Sequence, residues 1–153
     1  MKITPKMTVT TSVSGVGASH SRTDISVRDV TSVIDEPEAR GGTNAGPAPT
    51  ETALAALAGC TNVIANKCAA SLGVDIGHLT ISVDCRFDRR GVTLTEEIDV
   101  PFKSIEMIVE ADGSASEGDL ARVASEVAKY CPVAKLFRQA GTEISEVWKK
   151  AGT

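Results

Sequence analysis

An α+β fold is predicted from three observations. Strand-like runs gather in the first third of the chain and again after residue 79, and helical periodicity is confined to separate stretches. The two kinds of element do not alternate regularly, as a βαβ protein would require. The expected architecture has antiparallel sheets with a long buried central helix. At 153 residues with 42% hydrophobic content, a single domain over residues 1–153 is expected.

Residues 7–16 carry Val9, Thr11, Val13 and Val16 in a Thr/Ser/Val-rich run that favours a strand, and Gly15 and Gly17 mark a turn after it. Residues 21–27 and Val30–Ile34 alternate loosely and continue a β-meander, which Asp35-Glu36-Pro37 ends. Residues 37–49 hold Pro37, Pro47 and Pro49 with Gly41, Gly42 and Gly46, a density that calls for a long surface loop.

The next stretch is apolar on nearly every side from Ala53 to Ala65, as expected of a helix buried within a domain or an interface; Thr50 is a candidate N-cap and Gly73 a candidate C-cap. Leu79–Phe87 alternates cleanly, and residues 88–91 read as a hairpin turn into a strand at 92–100 that Pro101 breaks. Phe102–Ala111 alternates again, closed by Asp112-Gly113. Leu120, Val123, Ala124 and Val127 fall at helical spacing, and a residue before proline is disfavoured in helical geometry, so this helix should stop near Tyr130. Pro132 can open a second short helix to about Gln139, followed by a tail containing Trp148.

Aromatic residues are only 3% of the chain, so Val, Ile, Leu and Ala must fill the core. A net charge of -4 argues against nucleic acid as a partner, because phosphate binding rests on clustered Lys and Arg. No run approaches the roughly 20 apolar residues of a membrane helix, and residues 1–6 lead into no signal-type apolar run, so a cytoplasmic protein with no membrane partner is expected. Cys60, Cys68, Cys85 and Cys131 are too few and too spread for a disulfide scaffold; a disulfide here would be catalytic or sensory.

Cys60 lies well inside the apolar helix, too deep for the helix dipole to acidify it, and reads as a small buried hydrophobe. Cys131, before Pro132, caps a new helix whose free N–H groups favour a thiolate; the alternative is a quiet cysteine at a bend. Cys68 lies about 12 Å along the helix from Cys60 and cannot pair with it; Cys68 and Cys85 read as core residues.

His20 and His78 are too few for a metal site, no Gly-x-Ser-x-Gly elbow occurs, and no cofactor-binding motif is present. Glu51 sits where a first-turn carboxylate suits the helix dipole. Arg22, Arg28 and Arg40 precede the helix, and an arginine would be the natural means of holding a buried Cys60 as thiolate.

The run DEPEARGGTNAGPAPTETALAALAGCTNVI, followed some seventy residues later by YCPVAKLF, resembles the OsmC/Ohr family of osmotically induced and organic hydroperoxide resistance proteins. The resemblance implies an intertwined homodimer with two sites at the subunit interface. It implies that Cys60 attacks the peroxide, becomes a sulfenic acid and condenses with Cys131, after which a dithiol reductant, lipoyl-type or small, reduces the disulfide. Arg22, with Arg40 in reserve, would supply the family's arginine. Glu51 stands nine residues before Cys60 where the family's peroxidases have ten, a shift of about 100° on an ideal helix.

The leading expectation is a thiol-dependent peroxidase acting on organic hydroperoxides. Its rivals are a non-catalytic OsmC-like module that binds a small ligand or senses redox state, and a hydrolase or transferase using Cys60 in acyl chemistry, for which no histidine base can be placed.

Overall fold

A computed structural model describes residue 5 and residues 7–153; residues 1–4 and 6, within the 1–6 stretch read above, lie outside the described residues. The chain forms two compact units, one up to Thr52 and one from Ala53 to Thr153.

The first unit holds an antiparallel meander of β1 (Ser14–Gly17), β2 (Thr23–Val27) and β3 (Val30–Ile34), paired in that order. The strand expected over residues 7–16 is confined to its end, and Gly15 and Gly17 lie within it, opposite Ile25 and Thr23. The turn comes later, where the Ala18 and Ser19 N–H groups donate to the Arg22 carbonyl and the Ser19 hydroxyl accepts from the Ser21 and Arg22 N–H groups. Within the 37–49 loop one short 3-10 turn forms at Glu38–Arg40, ended by Gly41 at a left-handed φ of 88°.

Helix α1 (Pro49–Leu72) begins two residues earlier than expected, with Pro49 as its first residue. Ala48 rather than Thr50 holds the capping position, and its N–H is satisfied by Glu51 Oε2 at 2.9 Å. Gly73 does end the helix, at φ 68°, with Gly73 N–H donating to Ala70 and Val74 N–H to Ala69, the Schellman pattern.

The second unit packs the body of α1 with α2 (Glu117–Tyr130) and α3 (Pro132–Gln139) onto a three-stranded sheet in the order β4 (Leu79–Phe87), β5 (Phe102–Ala111), β6 (Glu143–Lys150). Strands β4 and β5 are antiparallel, from Leu79↔Ala111 to Phe87↔Phe102. The sheet is mixed rather than antiparallel throughout, because the stretch expected as a tail is β6, which runs parallel to β5 from Ser104↔Glu143 to Ala111↔Lys150. The helices α2 and α3 supply the crossover that a parallel connection needs.

Residues 92–100 form no strand: Thr93, Leu94 and Thr95 N–H groups bond back to Arg89, Gly91 and Arg90, and Leu94 sits at φ 58°. The Thr93 hydroxyl bonds the Arg89 carbonyl at 3.0 Å, offering the backbone a local alternative to a ladder. Strand β4 therefore meets β5 directly, closed by Asp88 N–H to Pro101 O at 2.8 Å.

The core of this unit is Leu57, Ala65, Ile105, Met107, Val109, Leu120, Val123, Val127 and Cys131, aliphatic as the composition demanded. Helix α1 is long and apolar enough to cross a membrane by length and composition alone, yet here Leu57, Thr61, Ala65, Cys68 and Ala69 bury one face in the core. Its other face is open in the single chain, with Val63 50% exposed, so burial on all sides is not achieved within the monomer.

Leu57 is fully buried, and its truncation leaves a cavity that a close-packed core fills only partly. Leu57→Ala should lower the urea-unfolding free energy by about 2–5 kcal/mol. Leu136→Ala, at a site 66% exposed, should change it by no more than about 0.5 kcal/mol in the same titration.

Candidate functional site

Cys60 lies on the α1 stripe that runs through Leu57, Ile64 and Cys68, at the three- and four-residue spacing that keeps side chains on one helix face. The neighbouring Thr61 is buried: its hydroxyl donates to the Leu57 carbonyl at 2.8 Å and meets Met107 Sδ of β5 at 3.6 Å. That contact fixes the rotation of the helix about its axis and with it the direction of the Cys60 side chain.

Cys131 sits at the break between α2 and α3. Its backbone is extended, at φ -71° and ψ 107°, as the following proline requires. Its N–H closes α2 on the Val127 carbonyl at 2.9 Å, and its carbonyl opens α3 by accepting Lys135 N–H at 3.1 Å. The side chain is fully buried, and Cys131 Sγ lies 3.2 Å from Cys60 Sγ, both as free thiols.

The helix N-terminus was expected to make Cys131 acidic. Backbone N–H groups of Ala134 and Val133 do pull its pKa down, but burial is the larger effect and pushes the thiol above its ordinary value. The adjacent Cys60 sulfur pushes in the same direction as burial. Cys68 is buried as expected, its thiol raised by burial and by Glu126; Cys85 is half-buried on β4, also raised by burial.

In the first unit, Glu51 Oε1 lies 3.6 Å from Arg40 Nη2, while its Oε2 caps Ala48. Arg40 is also held by Glu36 at 2.6 Å. Arg22 pairs instead with Asp24, Nε to Oδ1, at 2.8 Å, and Arg28 with the neighbouring Asp29 at 3.8 Å. His20 Nε2 bonds the Gly41 carbonyl at 2.9 Å, and His78 sits 97% exposed beside Asp112. Among the described residues, no three His, Cys, Asp or Glu side chains converge as a metal site.

One residue that sequence reasoning passed over organises the glycine-rich loop. Asp35 is fully buried; its Oδ1 accepts Glu36 N–H at 2.8 Å, and its Oδ2 accepts Ala45 N–H at 3.1 Å, Thr43 N–H at 3.2 Å and the Thr43 hydroxyl. These donors hold its carboxyl far below the usual range, the Thr43 hydroxyl having the largest effect. The loop folds back so closely that a Cβ on Gly42 would meet the Glu36 carbonyl at 1.9 Å and one on Gly46 the Val33 carbonyl at 2.1 Å. The signal was present as an aspartate before a loop of small residues, read only as the end of a meander.

A family model described as OsmC-like protein matches residues 42–147. The chain belongs to this OsmC-like family. The match contains Cys60, Cys131 and Glu51 and begins after Arg22 and Arg40.

Solved structures of the family share the fold across nearly the whole chain. An OsmC-like protein from Mycoplasma pneumoniae superposes with a TM-score of 0.75 at 19% identity, covering 94% of this chain and 99% of its own. The organic hydroperoxide resistance protein OhrB of Bacillus subtilis gives 0.64 at 19%, covering 92% and 98%. An OsmC-like protein of unknown function from Vibrio cholerae gives 0.73 at 10%, covering 92% and 99%. A search of curated protein sequences finds no significant match.

Asp35 offers a pH test of the loop in this OsmC-like chain. A carboxyl whose folded pKa is depressed stabilises the fold above its unfolded value of 3.8 and loses that stabilisation as pH falls toward the folded value. Wild-type protein should therefore lose stability steadily below about pH 4 in chemical-denaturation titrations. Asp35→Asn should start less stable at neutral pH and show a flatter acid limb.

Proposed function

We propose that this OsmC-family chain is a thiol-dependent peroxidase that reduces organic hydroperoxides, acting as a single domain over residues 1–153 in an intertwined cytoplasmic homodimer. The observation that carries the reading is the 3.2 Å approach of Cys60 and Cys131 sulfurs from elements 71 residues apart in sequence. Similarity of fold to organic hydroperoxide resistance proteins points the same way.

The chemistry balances on these two thiols. Cys60 thiolate attacks the outer peroxide oxygen, the O–O bond breaks, and the alkoxide leaves as alcohol after taking a proton. Cys60 is then a sulfenic acid. Cys131 sulfur attacks that sulfur, an S–S bond forms, and the hydroxyl departs with the Cys131 proton as water. The thiol pair has lost two electrons and the peroxide has gained them; a dithiol reductant restores both thiols by exchange. No cofactor enters the cycle.

Burial gives Cys131 a reason to stay protonated until the sulfenic acid exists, which suits a resolving thiol. The cation favouring Cys60 thiolate is assigned to Arg22, with Arg40, the ion-pair partner of Glu51, as the second candidate. Glu51 would act through an arginine, in addition to capping the helix. The open face of α1 around Val63 is the apolar surface a second copy would cover.

Cys60→Ser should abolish consumption of cumene hydroperoxide with a dithiol. Cys131→Ser should permit one stoichiometric oxidation to a trappable sulfenic acid and then stall. Full turnover by Cys60→Ser sinks the peroxidase reading. Peptide mapping after one equivalent of peroxide should recover a Cys60–Cys131 disulfide; a disulfide without turnover would mark a redox sensor instead. Arg22→Ala should slow the oxidation step more than Arg40→Ala, and the reverse order would transfer the activating role to Arg40.

A further inference from the structure

The chain has eight arginines, and six of them, Arg22, Arg28, Arg40, Arg90, Arg122 and Arg138, have a carboxylate within ion-pair distance. The other two, Arg86 and Arg89, have no such partner among the described residues, and both line one cavity at the turn end of β4 and β5. Lys103, likewise without a carboxylate partner among the described residues, lines it too, together with Phe87, Asp88 and Arg90.

The local backbone explains the convergence. Arg86 pairs with Ser104 and Phe87 with Phe102, so Lys103 is the extra residue of a β-bulge on β5. Bulges bend a strand and re-aim a side chain, and here the lysine joins the cavity wall. The carboxylate in the wall is already engaged: Asp88 takes Arg90 through Nη2 at 2.7 Å and Nε at 3.1 Å, and Glu96 takes Arg90 Nη1 at 3.0 Å. Arg90 and Lys103 together hold the Asp88 carboxyl down to about 2, so it stays ionised and committed to its guanidinium. Arg86, Arg89 and Lys103 are thus left without an ion pair of their own among the described residues, around a cavity of about 370 Å³ in a protein of net charge -4.

We propose that this cavity is a binding site for a small organic phosphate. Two guanidinium forks and an ammonium match the several oxygens of a phosphate dianion, which a single carboxylate does not supply. Phe87, its ring packed edge-on against Phe102, also lines the cavity and adds apolar surface for the organic group of the ester. The assignment is independent of the cysteine chemistry.

The test is titration of the isotopically labelled full chain with phenyl phosphate, inorganic phosphate and benzoate, followed by NMR shifts and calorimetry. Saturable shifts centred on residues 86–90 and 103 are expected, tightest with phenyl phosphate, weaker with inorganic phosphate and weakest with benzoate. The double variant Arg86→Gln/Arg89→Gln should weaken phenyl phosphate binding by at least about tenfold. Arg122→Gln, which removes the same kind of charge from α2, should leave it unchanged. Should the double variant unfold at a lower temperature than wild type, Lys103→Gln supplies the same comparison. Absence of saturable binding, equal affinity for benzoate, or an equal loss in Arg122→Gln overturns the proposal.

Discussion

A proline placed after a cysteine organises the second unit. Pro132 cannot follow a helical residue comfortably, so α2 ends and Cys131 turns extended before α3 departs in a new direction. Because α2 is anchored by Leu120, Val123 and Val127 in the core, the break falls inside the protein and not at its surface. The fully buried Cys131 thus reaches the Cys60 face of α1. The same break lets the chain run on through α3 to β6, whose parallel pairing with β5 requires a crossover of this length. Straightening α2 and α3 into one helix would displace the thiol and the strand together.

Where the pattern was dictated by burial, it could be read from the residues. β4 and β5 alternate because one face meets the core, and their limits, like those of α2 and α3, fall where the periodicity places them. Where side-chain chemistry competes with the ladder, periodicity misleads. Residues 92–100 alternate apolar and polar, yet the Thr93 hydroxyl and the Arg90 carboxylate cluster hold them in turns. β6 was hidden for the opposite reason: half-buried Glu146 occupies, between Ile144 and Trp148, an inward position that an apolar template does not recognise.

The site divides in the same way. The pairing of Cys60 with Cys131 depends on a contact across 71 residues, which spacing alone could not supply and only the family resemblance suggested. Glu51 was legible as a first-turn carboxylate, but its bond to Ala48 N–H depends on the helix starting at Pro49 instead of after Thr50. Asp35 was passed over because its four donors come from the adjacent Glu36 and the loop residues Thr43 and Ala45, and no periodicity marks the role of such an aspartate.

The two thiols also show which of two opposed effects prevails at a buried helix start. The first-turn N–H groups of Val133 and Ala134 favour a thiolate at Cys131, and removal from water disfavours it. In a site open to solvent the N–H groups would prevail, because little hydration is lost. Cys131 has no exposed surface, so the lost hydration is the larger quantity and the proton is retained. A thiol in that condition is poorly suited to open an attack on peroxide, whereas half-buried Cys60 keeps access to the outside. In the proposed cycle, first attack by Cys60 and resolution by Cys131 accord with this difference in burial.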